Sequence, residues 1–328
     1  MHEPPADLLG AVRRSRRPLI VGHVRPDGDC LGAILSMAGA STAEADREPL
    51  VYYRGDQVSQ RLAFLCSMSP HAIATLGQRQ RCDAVIVLDT AQASRAAIDP
   101  PLGELTGGGV PLLNIDHHVD NPRFGTVNWV VPGASSTCEL VYSLLTALGW
   151  PISSTIASLL YAGIHTDTLG FSLPNTTAAS LRIGAALVQA GATVADLGER
   201  LCRSQGKSEF DLARVIYDNT RLTPDGRIAY STATFDEITA TGCTAADIDD
   251  QVMIPRSLKG IRIAILFTEG KRGRIRMNFR GEGGTSVLDL ARGFGGGGHE
   301  SAAGAIADGA MDMVVADVLE RAGRSLVS

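Results

Sequence analysis

The 328-residue chain has six cysteines but no Cys-x-x-Cys pair. Their wide spacing argues against a zinc ribbon or a disulfide framework, so we expect reduced thiols. The chain also lacks an unbroken apolar run of the roughly 20 residues that a membrane helix needs. At the N-terminus, acidic residues and prolines come before the arginines, which is the opposite order to a secretory signal. We therefore expect a cytoplasmic protein with no membrane partner.

An excess of basic residues is also missing. Lys and Arg number 30 against 35 Asp and Glu, which gives a net charge of −5. Binding of long nucleic acid normally depends on a basic surface that displaces counterions, so this class of protein is disfavoured. A short, highly charged substrate held by a local cluster stays compatible with the composition. The length predicts about two domains.

The first half of the chain alternates short apolar runs with helical patterns. The runs RPLIVGH, REPLVYYRG, RCDAVIVLDTA and GVPLLNIDHH predict strands buried on both faces. Ser136 and Glu139 have capping-box spacing ahead of a helix that ends at Gly149. The alternation predicts an α/β fold with a mostly parallel sheet and helices on both faces.

The pattern changes after Gly191. A polar helical segment, TVADLGERLCRSQGKSEFDLARVIYDNTRL, leads into a hairpin-like run, PDGRIAYSTATF, and then into further strands and helices. We place the boundary near Gly206, with a first domain at 1–205, a smaller α/β domain at 206–328 and the polar segment as a helical connector.

Acidic and histidine residues stand in four groups, each at the end of a predicted element. His23, Asp27 and Asp29 follow the first strand; Asp89 follows AVIVL; Asp116, His117 and His118 follow PLLNI; and Asp167 follows a helix that is expected to end near Ile164. Ligands of an open parallel sheet collect outside the carboxyl ends of its strands, so the four groups should converge. For any one carboxylate, a turn residue or a helix cap is the simpler interpretation. Four groups in this context favour a shared site.

Crowded carboxylates and imidazoles repel or take up protons unless cations neutralise them. A donor set of this composition favours Mn²⁺ or Mg²⁺ over the metals of thiolate sites. It suits two ions about 3.5–4 Å apart that share a carboxylate and hold a hydroxide for in-line attack on phosphorus. Cys30, next to Asp29, is interpreted as a small buried apolar residue.

The motifs HVRPDGDCLGA, VLDTA, NIDHH and HTDTLGF, in this order, resemble those of the DHH phosphoesterases. Near the C-terminus, FGGGGHESAAGA resembles the signature of their accessory domain, DHHA1. By size and layout the chain is similar to the bifunctional oligoribonucleases and pAp phosphatases. This resemblance implies a DHH domain followed by a DHHA1 domain, and hydrolysis of short oligoribonucleotides (nanoRNA) to mononucleotides. It also implies hydrolysis of 3′-phosphoadenosine 5′-phosphate (pAp) to AMP.

The resemblance further implies two Mn²⁺ ions per subunit, with Mg²⁺ as the alternative, and a homodimer. It assigns one ion to His23, Asp27 and Asp89, and the other to Asp29, Asp89, His117 and Asp167. His118 would face the scissile phosphate as a general acid or an electrophile, and Asp116 would orient an imidazole from behind.

The C-terminal motif contains a run of glycines followed by a histidine: Gly295, Gly296, Gly297, Gly298 and His299. No Lys-Ser/Thr pair follows, so the run is not a Walker loop. A flexible turn is an equally good interpretation of the run alone; the resemblance assigns it to nucleotide binding.

Arginines at 272, 274, 276 and 280 alternate with apolar residues, which is typical of a strand with one solvated face. Only Arg280 matches the family's phosphate-binding arginine, and a guanidinium suits that task.

Other functions are compatible with parts of the pattern. A phosphodiesterase for cyclic or linear dinucleotides such as c-di-AMP, pApA or pGpG would use the same metals. An inorganic pyrophosphatase shares related metal motifs, but the GGGGH run favours the nucleotide branch. A non-catalytic nucleotide sensor would be expected to lack a ligand residue, and every ligand position of the motifs is filled.

Overall fold

A computed structural model describes residues 2–44, 46–71, 82–96, 98–244 and 248–326. Its chain forms two compact units, Met1–Ser204 and Gln205–Ser328, and each unit is built around its own sheet. The division thus falls between residues 204 and 205, where the sequence placed it after 205. The functions assigned to the two domains stay predictions.

The sheet of the first unit has five parallel strands in the order β2-β1-β3-β4-β5. Their bounds are β1 (Pro18–Val21), β2 (Leu50–Tyr52), β3 (Ala84–Leu88), β4 (Leu112–Asp116) and β5 (Val127–Val130). The predicted parallel sheet is confirmed. Strands β1, β3 and β4 are buried along their whole length, which explains their continuous apolar sequences. Sequence analysis did not identify β5; Arg81, which opens the third predicted run, lies outside the described residues.

Eight helices of this unit lie in the described residues. They are α1 (Ala6–Arg14), α2 (Gly28–Ala43), α3 (Ala63–Ser67), α4 (Leu102–Leu105), α5 (Thr137–Leu148), α6 (Ser154–Thr168), α7 (Ala178–Gln189) and α8 (Val194–Cys202). One face of the sheet forms the main core with α1, α2, α5 and α6. In the part of the chain that the structure describes, the opposite face packs against α4 and a short 3₁₀ turn, Ala93–Ala96.

Two helix ends illustrate what sequence can and cannot specify. Helix α5 begins as predicted, because the backbone N–H of Glu139 donates to Oγ of Ser136 (3.2 Å), and it ends at Gly149, whose φ is 74°. Helix α6 was expected to end near Ile164 but continues to Thr168, where Leu169 adopts a left-handed conformation with φ 47°. The prediction was wrong by one turn. As a result, Asp167 lies on the helix rather than after it.

The second unit contains a six-stranded sheet in the order β10-β11-β9-β8-β7-β6, in which only the β7–β8 pair is parallel. Its strands are β6 (Arg221–Leu222), β7 (Ile228–Ala233), β8 (Ile263–Lys271), β9 (Arg274–Gly281), β10 (Gly297–Gly298) and β11 (Ala302–Asp308). Its helices are α9 (Lys207–Asp218), α10 (Phe235–Thr241), α11 (Met253–Arg256), α12 (Leu288–Arg292) and α13 (Met311–Ser325). The apolar residues of β9, namely Ile275, Met277 and Phe279, are fully buried in one core, as their alternation predicts.

The polar connector is two helices rather than one. Helix α8 belongs to the first unit and α9 to the second, and the chain leaves helical geometry between them. No single helix among the described residues is long and apolar enough to cross a membrane. Helices α7 and α8 reach that length and composition only when taken together, and they are bent by 118°.

Candidate metal centre

The predicted ligand groups lie at one rim of the first unit. The rim is formed by the residues after β1, β3 and β4, the first turn of α2 and the last turn of α6. At its middle, Asp89 directly follows β3 and adopts a left-handed conformation, with φ 54°. Few L-residues tolerate this conformation, and aspartate is one of them. The backbone at Asp89 is therefore specialised as well as its side chain.

The two carboxylate oxygens of Asp89 are divided between two histidines. Oδ2 lies 3.4 Å from Nε2 of His23, and Oδ1 lies 3.5 Å from Nε2 of His117. The Asp89 side chain is only 2% exposed, so both oxygens face protein atoms rather than solvent. One carboxylate thus joins two sets of donor atoms, as a shared ligand requires.

The first set gathers around His23. Its Nδ1 lies 2.7 Å from the carbonyl oxygen of Val24, so Nδ1–H donates there and Nε2 is left as the atom that can bind a cation. Nε2 is 3.8 Å from Oδ2 of Asp27, which is 57% exposed. The other oxygen of Asp27 accepts from the backbone N–H of Cys30 (3.0 Å) and caps α2. The cap fixes the carboxylate beside His23.

The second set surrounds His117. Its Nε2 lies 3.3 Å from Oδ2 of Asp167 and 3.9 Å from Oδ2 of Asp29. The two oxygens of Asp29 also accept from the backbone N–H groups of Thr137 (2.6 Å) and Cys138 (2.8 Å) at the start of α5. A helix N-terminus stabilises a carboxylate, so α5 holds Asp29 in place.

Two carboxylates of this rim have raised pKa values, because they are buried and their negative charges repel one another. Burial raises the pKa of Asp29 well above its usual range, and the negative charges of Asp89 and Asp27 raise it further. Burial, followed by the negative charges of Asp29, Asp27 and Asp89, also raises the pKa of Asp167. Such repulsion is relieved by a cation. The residues present therefore fit a divalent metal, since they offer hard oxygens and imidazole nitrogens at close range.

The neighbouring histidines lower the pKa of Asp89. Burial alone would raise its pKa, but the hydrogen bond from His23 and the positive fields of His118, His23 and His117 hold the pKa well below the usual value. For His117, burial and the neighbouring His118 lower the pKa, which favours the neutral imidazole that a metal requires.

His118 and Asp116 form a separate pair at the edge of the centre. Nδ1 of His118 lies 2.7 Å from Oδ1 of Asp116, while Oδ2 of Asp116 accepts from Nδ2 of Asn121 (2.6 Å). Burial would lower the pKa of His118, but the hydrogen bond and charge of Asp116 raise it above the ordinary value. The pair has the geometry of an oriented, proton-carrying imidazole.

Sequence reasoning missed two residues of this region. Oγ1 of Thr137 donates to Oδ1 of Asp89 (3.0 Å), and Nη2 of Arg95 lies 3.4 Å from Nδ1 of His23. Thr137 is 48 positions from Asp89, and the only local signal was the helix start at Ser136. Arg95 sits in an undistinguished stretch after β3, so no motif indicated it.

In the second unit, the predicted glycine loop is partly a strand. Gly297 and Gly298 form β10, which pairs with Gly304 and Ala303 of β11, and the backbone N–H of His299 donates to Ala302 O (2.8 Å). At Gly296 a Cβ would overlap the carbonyl oxygen of Gly304, and Gly295 and Gly298 have φ of 71° and 137°. Close packing and backbone conformation alone thus require several of these glycines.

The arginines of the second unit differ in their surroundings. Arg272 lies in the turn before β9, not on the strand, and forms a salt bridge with Asp236. On β9, Arg274 is exposed, whereas Arg280 is half-buried and donates from Nη1 to the carbonyl oxygen of Phe279 (3.0 Å). The predicted strand register holds from Arg274 onward.

Asn278 lies between Arg276 and Arg280 on the same face of β9. Its Oδ1 accepts from Nε of Arg276 (3.2 Å), and its buried Nδ2 has no hydrogen-bond partner among the described residues. Across the sheet it pairs with Gly304, which in turn pairs with Gly297. Gly304, which has no side chain, therefore lies beside an amide whose Nδ2 can donate a hydrogen bond.

Comparisons with known proteins agree on one family. The N-terminal domain of the DHH family matches residues 17–164. Two curated relatives carry the name bifunctional oligoribonuclease and PAP phosphatase NrnA. The protein of Thermus thermophilus is 29% identical over 96% of this chain and 91% of its own, and that of Bacillus subtilis is 31% identical over 86% and 87%. An exopolyphosphatase-related protein of Bacteroides fragilis has a similar structure, with a TM-score of 0.83 and 25% identity over 96% of this chain and 94% of its own.

Proposed function

We propose, since the chain belongs to the DHH family of phosphoesterases, that it hydrolyses short oligoribonucleotides to mononucleotides and pAp to AMP, with divalent cations as cofactors. The observation that carries the proposal is the carboxylate of Asp89, which offers one oxygen to the donor set of His23 and the other to that of His117. Two relatives that share most of their length with this chain carry the name of this activity.

The donor sets would hold two Mn²⁺ ions, with Mg²⁺ as the alternative. One set is His23, Asp27 and Asp89; the other is Asp29, Asp89, His117 and Asp167. Bound cations would polarise phosphoryl oxygens and offset the negative charge that develops at phosphorus. Carboxylates outnumber imidazoles in both sets together, which favours Mn²⁺ and Mg²⁺.

The remaining residues of the centre prepare it for an anionic substrate. Asp116 fixes the ring of His118 through Nδ1, which leaves Nε2 to hold a proton for the departing oxygen. The hydrogen bond from Thr137 prevents Asp89 from rotating. Arg95 adds positive charge beside His23. These groups would orient the substrate and the metal ligands, while bound cations would neutralise most of the negative charge of the phosphate.

Residues of the second unit would hold the nucleotide itself. Arg280 would bind a substrate phosphate, and Gly295, Gly296, Gly297 and Gly298 with His299 would let the nucleotide lie close to the backbone. The N–H groups of Gly295 and Gly296 already donate to Arg292 O and Ala291 O (2.9 Å each), so the absence of side chains is what the run contributes. Asn278 adds an amide donor on the same face of β9 as Arg280. A few such groups suffice for two or three phosphates, which fits a chain with a net charge of −5.

The test is a substrate panel assayed with Mn²⁺ and Mg²⁺ in parallel. The panel contains pAp, di- and triribonucleotides, a long RNA, pGpG and c-di-AMP. We expect release of phosphate from pAp and of mononucleotides from the short RNAs, with little turnover of long RNA. Cleavage confined to pGpG or c-di-AMP would assign the protein to the dinucleotide phosphodiesterases instead.

Metal dependence is tested separately. Chelation should abolish phosphate release from pAp and re-addition of Mn²⁺ should restore it. The variant Asp89→Asn should lower the rate by more than about 100-fold, because both donor sets lose a charged ligand. Glu104→Gln, which removes an exposed carboxylate from the same unit, is the control. An unchanged rate in excess chelator would refute the proposal.

A cytoplasmic location and a homodimer belong to the same proposal. None of the six cysteines, all of which lie in the described part of the chain, forms a disulfide, which is compatible with a reducing compartment. Sedimentation of the purified protein measures the oligomeric state directly.

A further inference from the structure

The thiol of Cys30 lies next to the first donor set and has no part in the proposal above. Cys30 is fully buried. Its Sγ, a ring nitrogen of His23 and a carboxylate oxygen of Asp89 all lie within 4.8 Å of one another. These three atoms come from residue types that bind metals, and they are close enough to share one cation. Cys30 thereby extends the donor set that already contains His23 and Asp89. The interpretation of Cys30 as a small apolar residue does not account for this arrangement.

The backbone around Cys30 holds the sulfur in that position. Cys30 occupies the first turn of α2, where its N–H is bound by the capping carboxylate of Asp27. The backbone N–H of His23 donates to Sγ (3.4 Å). Gly22 gives the sulfur its space, since a Cβ at Gly22 would lie 2.5 Å from Sγ. An N–H group directed at sulfur also stabilises a thiolate ligand.

We propose that Cys30 is a further protein ligand at the position formed by His23, Asp27 and Asp89, and that it shifts this position towards thiophilic cations such as Co²⁺, Zn²⁺ and Cd²⁺. The inference rests on the proposed function, because the proposed function is what places a cation beside His23, Asp27 and Asp89. When the sulfur binds the cation, the thiol releases its proton to solvent and nothing is oxidised. Thiolate favours these cations over Mg²⁺. The set around His117 has only oxygen and nitrogen donors, so the two positions differ in metal preference.

The test uses Co²⁺, whose spectrum reports on its ligands. Metal-free protein is titrated with Co²⁺ in the wild type and in Cys30→Ala, Cys30→Ser and Cys202→Ser, the last removing an exposed thiol as a control. We expect a thiolate-to-cobalt charge-transfer absorption in the near ultraviolet for the wild type and Cys202→Ser. It should be absent from both Cys30 variants, while the visible ligand-field bands persist. Affinity for Cd²⁺ should fall by about tenfold or more in Cys30→Ala, with a much smaller change for Mg²⁺.

Two results separate this inference from the proposed function. Bound Co²⁺ with no charge-transfer band in the wild type would overturn the role of Cys30 and leave the cation site intact. A wild type that binds no Co²⁺ would overturn the cation site itself. Cys138, the buried thiol whose Sγ lies 3.5 Å from Asp29 O, is tested with Cys138→Ala; loss of the band there and not in Cys30→Ala also overturns the inference.

Cobalt X-ray absorption on the Cys138→Ala protein, which lacks the other buried thiol of this region, detects a sulfur neighbour without any Cys30 variant. This measurement decides the matter even if the Cys30 variants fold poorly: a sulfur scatterer supports the inference, and a shell of oxygen and nitrogen alone overturns it.

Discussion

Nδ1 of His118 lies 2.7 Å from a carboxylate oxygen of Asp116, and Asp116 is fully buried. The same oxygen of Asp116 accepts from the backbone N–H of His117 (2.8 Å), so one side chain fixes both histidines that follow β4. The carboxylate and the imidazole are two residues apart, and the end of the strand brings them into contact. The carboxyl end of β4 therefore sets the orientation of the His118 imidazole.

Replacing Asp116 with asparagine should slow catalysis more than it weakens binding. The variant Asp116→Asn keeps an acceptor but removes the charge that raises the pKa of His118. We expect kcat for pAp to fall by about 10–100-fold with a smaller change in KM. Initial rates measure both values, and Glu104→Gln should behave like the wild type. A wild-type kcat in a well-folded Asp116→Asn protein would contradict the assigned orientation of His118.

Thr137 offers a matched pair of substitutions. Thr137→Val removes the hydroxyl that donates to Asp89 and preserves the shape, whereas Thr137→Ser preserves the hydroxyl. We expect Mn²⁺ affinity, measured by calorimetry, to fall by about 10–100-fold in the valine variant and to change little in the serine variant. Equal losses in both variants would point to packing of the methyl group instead.

Helices α2 and α6 approach so closely that a methyl group does not fit at Gly32. A Cβ there would lie 2.5 Å from Leu159 O and 2.9 Å from Sγ of Cys138. We expect Gly32→Ala to lower the free energy of unfolding by about 1–3 kcal/mol. Gly39→Ala on the same helix is the control, because its Cβ would lie 3.4 Å from the nearest atom, in Ile156. Urea denaturation measures both; equal midpoints would mean that the helices can move apart at little cost.

Arg280 and Arg274 share a strand face but differ in exposure. Arg280→Ala should raise KM for pAp by about 10–100-fold, the value of a lost charge-assisted hydrogen bond, with little change in kcat. Arg274→Ala should leave both constants near the wild-type values. Comparable effects in the two variants would indicate a general loss of positive charge rather than a phosphate contact.

Sequence patterns predicted the sheet well because each central strand is encoded by one short, continuous run of apolar residues. Strands β1, β3 and β4 are buried on both faces, so their residues are continuously apolar and stand out. Strand β5, at the edge of the sheet, has two half-buried residues followed by two buried ones, and no clear period marks it. The end of α6 was misplaced because the apolar pattern stops at Ile164, whereas the helix continues through polar residues to Thr168; the left-handed residue that ends it is a leucine, not the usual glycine.

The ligand candidates were visible in the sequence because each belongs to a short polar motif after an apolar run. The residues that hold them were not visible. Thr137 and Arg95 act across the fold, and their contacts depend on which strands become neighbours. Cys30 was visible but interpreted by its usual behaviour, and only its distance from His23 and Asp89 suggested otherwise.

The left-handed backbone at Asp89 limits how this enzyme can change over evolution. Most side chains at position 89 would pay a conformational penalty of about 1–2 kcal/mol before any loss of chemistry. Asparagine and glycine escape the penalty, yet neither carries the charge that joins the two halves of the centre. A substitution at position 89 therefore loses the negative charge, the favourable backbone conformation, or both.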